Sequence, residues 1–266
     1  MTILQAAVLG LVQGITEFLP ISSTAHLRLV PALLGWPDGG AAFAAVIQLG
    51  TLLAVVGFFL RDLGRMLAAA ARAETRKSLD ARLLLYLALG TVPIGVAGLL
   101  ARHAVEGPLR SLAVIASMLI AVGIVMGVVE KTARFERLLE TITWRDALLV
   151  GLAQALALVP GTSRSGITLV AAMILGFRRD AAARFSFLLS IPAVAAAGVF
   201  EFPQLLHDHK IGTAALVTGL AVAFVSGYLS VAWLLRFLRT RTTFGFVVYR
   251  VILGLFLLAA VVGSSL

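Results

Sequence analysis

Gln13-Gly14-Ile15-Thr16-Glu17-Phe18-Leu19-Pro20-Ile21-Ser22-Ser23-Thr24-Ala25-His26-Leu27 interrupts an apolar region of about residues 1–36 with residues poorly suited to a continuous helix. Pro20 removes a backbone donor, and the serines and threonine favour caps and turns. Crossing roughly 30 Å of hydrocarbon takes about 20 helical residues, and neither side of the break supplies them. A second apolar region, about 146–177, is broken in the same way by Pro160-Gly161-Thr162-Ser163-Arg164-Ser165-Gly166-Ile167-Thr168. Both read as re-entrant helix hairpins, whose irregular tips must be buried in protein or line a watery cavity.

Outward from these breaks the chain is apolar nearly throughout. Of its 266 residues 60% are hydrophobic and 13% charged, with a mean hydropathy of +1.02. Water-soluble domains run near half apolar and a quarter charged, so a soluble fold is excluded. Six stretches approach span length: about 41–60, 83–101, 111–129, 185–200, 212–235 and 244–264. The N-terminus lacks a basic segment and a cleavage site and reads as mature structure. There is no cysteine, which removes disulfide and thiolate chemistry. The net charge of +9 sits in short gaps between apolar runs, a pattern of membrane topology and not of nucleic-acid binding. With the segment 61–82 cytoplasmic, inside segments hold sixteen Lys and Arg residues and outside segments four, which places both termini outside.

The two broken regions resemble each other. Gly10-Leu11-Val12-Gln13 matches Gly151-Leu152-Ala153-Gln154, and Leu19-Pro20-Ile21-Ser22-Ser23 matches Val159-Pro160-Gly161-Thr162-Ser163 with a slip of one residue. The expected fold is therefore an all-α integral membrane protein with six spanning helices plus two re-entrant helix hairpins. It forms a single membrane domain, 1–266, of two inverted-topology repeats, about 1–130 and about 143–266. Inverted repeats with broken helices place a site near the midplane, where the two tips meet.

At that depth an ionisable residue costs roughly 2.5–3.5 kcal/mol on insertion scales, so Glu17 and Arg164 need partners, and each is the simplest one for the other. Helix starts rich in Ser and Thr, beside a fixed guanidinium, suit a phosphate. Ser22, Thr24, Gly161, Thr162, Ser163, Ser165 and Thr168 are the candidates to bind it. Helix capping alone explains one such start but not two that converge on a guanidinium. Glu17 and Gln13 are four apart on one helix face and offer oxygens to Mg2+ or Ca2+, with phosphate oxygens completing the shell. His26, three residues after Ser23, would place an imidazole beside a hydroxyl, an arrangement for nucleophile and base or acid. His207-Asp208-His209 reads as solvated loop, Gly10-x-x-x-Gly14 as helix packing, Gln48 and Ser190 as hydrogen-bonding groups near the tips, and Arg250 as snorkelling or paired locally.

Gln13-x-x-x-Glu17-Phe-Leu-Pro-Ile-Ser-Ser-Thr-Ala-His26 followed by Pro160-Gly-Thr-Ser-Arg-Ser-Gly166 resembles the undecaprenyl-diphosphate phosphatase family, the bacitracin-resistance proteins of bacteria. The likeness extends over the whole chain in length, segment order and both motifs. It implies hydrolysis of undecaprenyl diphosphate to undecaprenyl phosphate, a divalent-cation requirement, and a multi-pass position in the bacterial cytoplasmic (inner) membrane with the active site facing outside. It also implies that Glu17, Ser23, His26 and Arg164 belong to the site. The family's first acidic position is Glu or Gln, and here it is Gln13. Expected partners are a polyprenyl diphosphate and membrane lipids, with no nucleic acid; a homodimer is left open. Ser23 is the first choice of nucleophile, with Glu17 or His26 accepting its proton. His26 as nucleophile and water activated by Glu17 are the alternatives. Arg164→Ala is expected to abolish turnover and leave a folded protein. The rival class is a transporter or flippase for an anionic lipid at the same midplane site.

Overall fold

The computed structural model describes residues 1–37, 40–100, 109, 111–207 and 211–263, without the side chains of 41, 42 and 199–207. The side chains of His207-Asp208-His209, with Arg102, Arg110 and Lys210, lie outside the described residues. Apart from one isolated bridge between Arg137 and Phe177, the regular structure described is helical.

The elements are α1 (Ile3–Phe18), α2 (Ser23–Leu34), α3 (Gly40–Phe58), α4 (Leu60–Ala71), α5 (Leu79–Leu100), α6 (Leu112–Thr132), α7 (Trp144–Ala155), α8 (Arg164–Ile174), α9 (Arg179–His207), α10 (Thr213–Phe237) and α11 (Phe244–Val262). Five of them, α5, α6, α9, α10 and α11, are long and apolar enough to cross a membrane, and α3 with α4 forms a sixth candidate bent by 69°. The chain is a multi-pass membrane protein. Large apolar side chains such as Leu85 (64% exposed), Leu99 (65%) and Ile252 (63%) point out of the bundle, where only lipid leaves them unpenalised. The loop expected over 61–82 is corrected: its first part is the helix α4, which buries Met66 while Arg61 and Arg65 stay exposed. Leu63 and Met66 fall on one face of this helix and Arg61 and Arg65 on the other, a two-faced pattern that suits a membrane surface.

The two breaks share their local structure. A capping box starts each hairpin, Thr2 with Gln5 at α1 and Thr143 with Asp146 at α7. The same interval then leads to a serine of positive φ that opens the returning helix: Ser22 (φ 75°) before α2 and Ser163 (φ 69°) before α8. Helix caps therefore equate Ser22 with Ser163, whereas the sequence match pairs Ser22 with Thr162; only the prolines slip.

Close helix crossings anchor both first arms. A Cβ on Gly10 of α1 would lie 2.5 Å from the carbonyl oxygen of Gly219 on α10, and one on Gly151 of α7 would collide with the backbone of Gly90 on α5. Small residues let two backbones approach in this way, so Gly10-x-x-x-Gly14 is a packing motif. Gly151→Ala is expected to cost about 1–3 kcal/mol, as overpacking typically does. Its thermal unfolding midpoint in detergent should fall, while Gly95→Ala, where a Cβ meets nothing within 4 Å, stays at the parent value. Equal midpoints for the two variants would contradict the crossing.

Ion pairs hold the end of the bundle where the basic residues gather. Arg137 forks onto Asp146 (2.9 and 2.7 Å) and covers the Phe177 ring at 4.2 Å, Arg179 pairs with Glu130, and Arg184 reaches Asp62 at 2.6 Å. Bidentate guanidinium–carboxylate pairs fix direction as well as distance, which suits the loops that carry α7, α8 and α9.

Candidate active site

The first hairpin delivers a carboxylate and a hydroxyl to one point. Glu17 lies in the last turn of α1, Ser23 in the first turn of α2, and the break between them folds the two side chains together: Ser23 Oγ donates to Glu17 Oε2 at 2.7 Å. The side chain of Gln13, one turn earlier on α1, donates from Nε2 to the same oxygen at 3.0 Å. The second hairpin supplies the cation. Arg164, the first residue of α8, donates from Nη2 to Glu17 Oε1, as the sequence reading expected. This bond uses one of the five guanidinium N–H groups.

Hydrogen bonds join the tips below this pair. Ser165 Oγ donates to the Leu19 carbonyl at 3.1 Å, and Ser163 Oγ accepts from the Gly166 N–H at 3.2 Å, capping α8. Ser22 makes no such cap, so the first N–H groups of α2 are left to another acceptor. Gly161 has φ 92°, and a Cβ there would meet the backbone of Ile115. Only glycine brings the second tip this close to α6.

Above the pair opens a cavity of about 390 Å³. Gln13, Glu17, Ser22, Ser23, Thr24, Gly161, Ser163 and Arg164 give it a polar floor, and Leu27, Arg28, Ala44, Gln48, Ile94, Ile115, Ala193 and Ala197 complete its walls. The structure thus gathers most of the expected phosphate-binding residues. Three lie elsewhere. The Thr168 hydroxyl bonds to the Arg164 carbonyl (2.8 Å) and to Ser186 (2.5 Å), Thr162 is buried beneath the floor, and Ser165 links the tips. Of the two groups expected near the tips, Gln48 lines the cavity and Ser190 turns back onto the Phe187 carbonyl at 2.6 Å.

His26 differs from expectation. Its Nδ1 bonds to the Ser22 carbonyl at 2.7 Å and its Nε2 to the Tyr249 hydroxyl at 2.5 Å, with the two rings stacked at 5.6 Å. The carbonyl can only accept, so Nδ1 donates. Both nitrogens are occupied away from Ser23, because one helical turn carries the imidazole back over the tip carbonyl. His26 therefore holds the tip. Tyr249→Phe is expected to slow turnover by less than about tenfold, the worth of one ordinary hydrogen bond. A larger loss in steady-state phosphate release would show that the phenol acts in the reaction.

Two residues at the site were not found from sequence. Tyr249 carries no signal at all in an apolar helix. Arg250 does carry one, a cation inside the last apolar segment, and the expectation of snorkelling or local pairing is corrected. It is 0% exposed and donates to carbonyls from three other segments, among them Pro20 and Gly161 at 3.0 Å each.

A family model described as bacitracin resistance protein BacA matches residues 6–256. The undecaprenyl-diphosphatase of Myxococcus xanthus (strain DK1622) is 54% identical over 263 residues, covering 97% of this chain and 89% of that protein. The undecaprenyl-diphosphatase of Thermobifida fusca (strain YX) is 46% identical, covering 98% and 91%, and that of Synechococcus elongatus (strain ATCC 33912 / PCC 7942 / FACHB-805) is 48% identical, covering 98% and 94%.

Proposed function

The chain belongs to the bacitracin resistance protein BacA family, and from that premise we propose that the hairpin cavity is the active site of an undecaprenyl-diphosphate phosphatase. The protein hydrolyses undecaprenyl diphosphate to undecaprenyl phosphate and inorganic phosphate, recycling the lipid carrier of cell-wall synthesis. One observation carries the assignment of the site: Ser23 Oγ donates to a carboxylate that is itself held by Arg164 from the other hairpin, at the floor of an open cavity.

Ser23 Oγ attacks the terminal phosphorus and passes its proton to Glu17 as the bond to the bridging oxygen breaks. Undecaprenyl phosphate leaves, and water then cleaves the phosphoserine by the reverse proton path. The free N–H groups of Arg164 and the uncapped start of α2 stabilise charge on the transferring phosphoryl oxygens. The apolar wall residues and the lipid beyond them receive the prenyl tail. We place the cavity mouth on the outer face of the cytoplasmic membrane. Its walls come from the ends of α3, α5, α6 and α9 remote from the sixteen basic residues that mark the inside.

A divalent cation belongs to the same proposal. Among the described residues no three His, Cys, Asp or Glu side chains cluster, so no complete cage of such side chains forms among them. The buried Gln13 Oε1 has no hydrogen-bond partner, and the same amide faces Glu17 through its Nε2. With that amide turned over, the Gln13 oxygen and the Glu17 carboxylate would hold Mg2+ or Ca2+ jointly with substrate oxygens. Such an ion, when bound, would offset the charge of the diphosphate.

Purified protein should release inorganic phosphate from undecaprenyl diphosphate in detergent, and EDTA should slow it. Movement of the lipid across liposomes with no phosphate released would favour the transporter reading and defeat this one.

A further inference from the structure

We propose that Arg250 is a positioning residue, the strut that sets both hairpin tips in the geometry the phosphate needs. The inference rests on the active-site reading above and extends it to a residue that does not line the cavity.

Arg250 stands on α11 beneath the tips and is fully buried. Nε donates to Leu119 O at 3.2 Å and Nη1 to Pro20 O at 3.0 Å. Nη2 lies 3.2 Å from Met118 O and 3.0 Å from both Gly161 O and Thr162 O. Every acceptor is a main-chain carbonyl, and no carboxylate pairs with it among the described residues. Burying an unpaired guanidinium is costly, so its bonds must hold something that would otherwise not form.

What they hold is the pair of strained turns. Among the described residues Ser22 and Ser163 are the only non-glycine residues of positive φ, each worth of the order of 1–3 kcal/mol of strain. Pro20 lies two residues before the first and Thr162 directly before the second. The peptide unit is planar, with C=O and N–H on opposite sides. Turning the Thr162 carbonyl down to Arg250 therefore turns the Ser163 N–H up, and Ser163 lines the cavity. One rigid fork spans both tips, so Glu17–Ser23 and Arg164 keep their register although they stand on different hairpins. Its charge, unlike that of Arg164, is not cancelled by Glu17. It adds a fixed positive field below the phosphate floor, where low dielectric strengthens it. Lysine carries the same charge but cannot fork.

The test uses the full-length protein in nanodiscs with R250K and, as the milder uncharged variant, R250Q. Both should lose about 100-fold in kcat for phosphate release, the scale of a small misplacement of reacting groups, with KM within about threefold. Amide hydrogen exchange should rise at residues 19–23 and 160–164 together and stay at parent levels in α5, α6 and α10. Overturning results are a kcat per folded molecule within about threefold of the parent, or exchange that rises through the whole bundle in both variants. A parent protein that releases no phosphate would remove the functional reading, and the exchange arm would still decide whether Arg250 holds the tips.

Discussion

Ser23→Ala lowers kcat for phosphate release by about 10⁴-fold or more, the scale of losing an enzymic nucleophile, while the thermal unfolding midpoint stays close to the parent's. The two halves of this expectation have different origins. The hydroxyl donates to Glu17 at 2.7 Å and lines the cavity floor, so in the proposed mechanism its removal takes away both the attacking atom and the proton that Glu17 receives. Its structural contribution is one hydrogen bond at a helix start, worth about 1 kcal/mol. Alanine is tolerated there, and α2 keeps its other contacts. Steady-state phosphate release with unfolding curves on the same preparation measures both. A loss below about tenfold would mean that Glu17 activates water directly and Ser23 only orients it.

Removing Arg164 has a larger combined effect, on rate and on stability. A guanidinium that meets developing charge on a transferring phosphoryl group is worth about 10³–10⁵ in rate, and Arg164→Ala should show a loss in that range. The ion pair adds a second consequence. Glu17 is 9% exposed and loses the guanidinium that pairs with it, and breaking a buried pair from one side costs about 3–5 kcal/mol. To the expectation of an inactive but folded protein the ion pair therefore adds a condition: the variant should be markedly less stable than the parent. The double variant Glu17→Gln/Arg164→Met removes both charges and should regain most of the stability with no activity. A double variant as unstable as Arg164→Ala, judged by unfolding midpoint in detergent, would show that the pair is not the source of the loss.

The parts of this molecule legible in its sequence are those that composition and interruption announce. Apolar runs mark the spans, because nothing else satisfies so much apolar surface. Pro20 and Pro160 mark the breaks, because a helix cannot run through them and their Ser and Thr neighbours unchanged. Glu17 and Arg164 announce their pairing through cost, since each is too expensive alone in an apolar setting. What stayed hidden depends on backbone direction. Arg250 is satisfied by carbonyls, which every residue possesses, so its partners at Pro20 and Gly161 leave no trace in residue type. The positive φ of Ser22 and Ser163 is equally silent, because serine is the expected cap residue whether strained or not. The spacing of Ser23 and His26 would put the two side chains together in one helical turn. The imidazole instead follows the turn to the Ser22 carbonyl, and Tyr249, 223 residues away, completes its bonding. The α4 helix was missed because its charges resemble those of a cytoplasmic loop.

In the proposed mechanism the phosphoryl group passes through Ser23 between the two tips. Purified protein mixed with undecaprenyl diphosphate labelled on the terminal phosphate, quenched in acid within the first turnover, should yield a single labelled peptide carrying phosphoserine at Ser23. Label on His26 or any other residue, or labelled phosphate formed in that turnover with none on the protein, would contradict it.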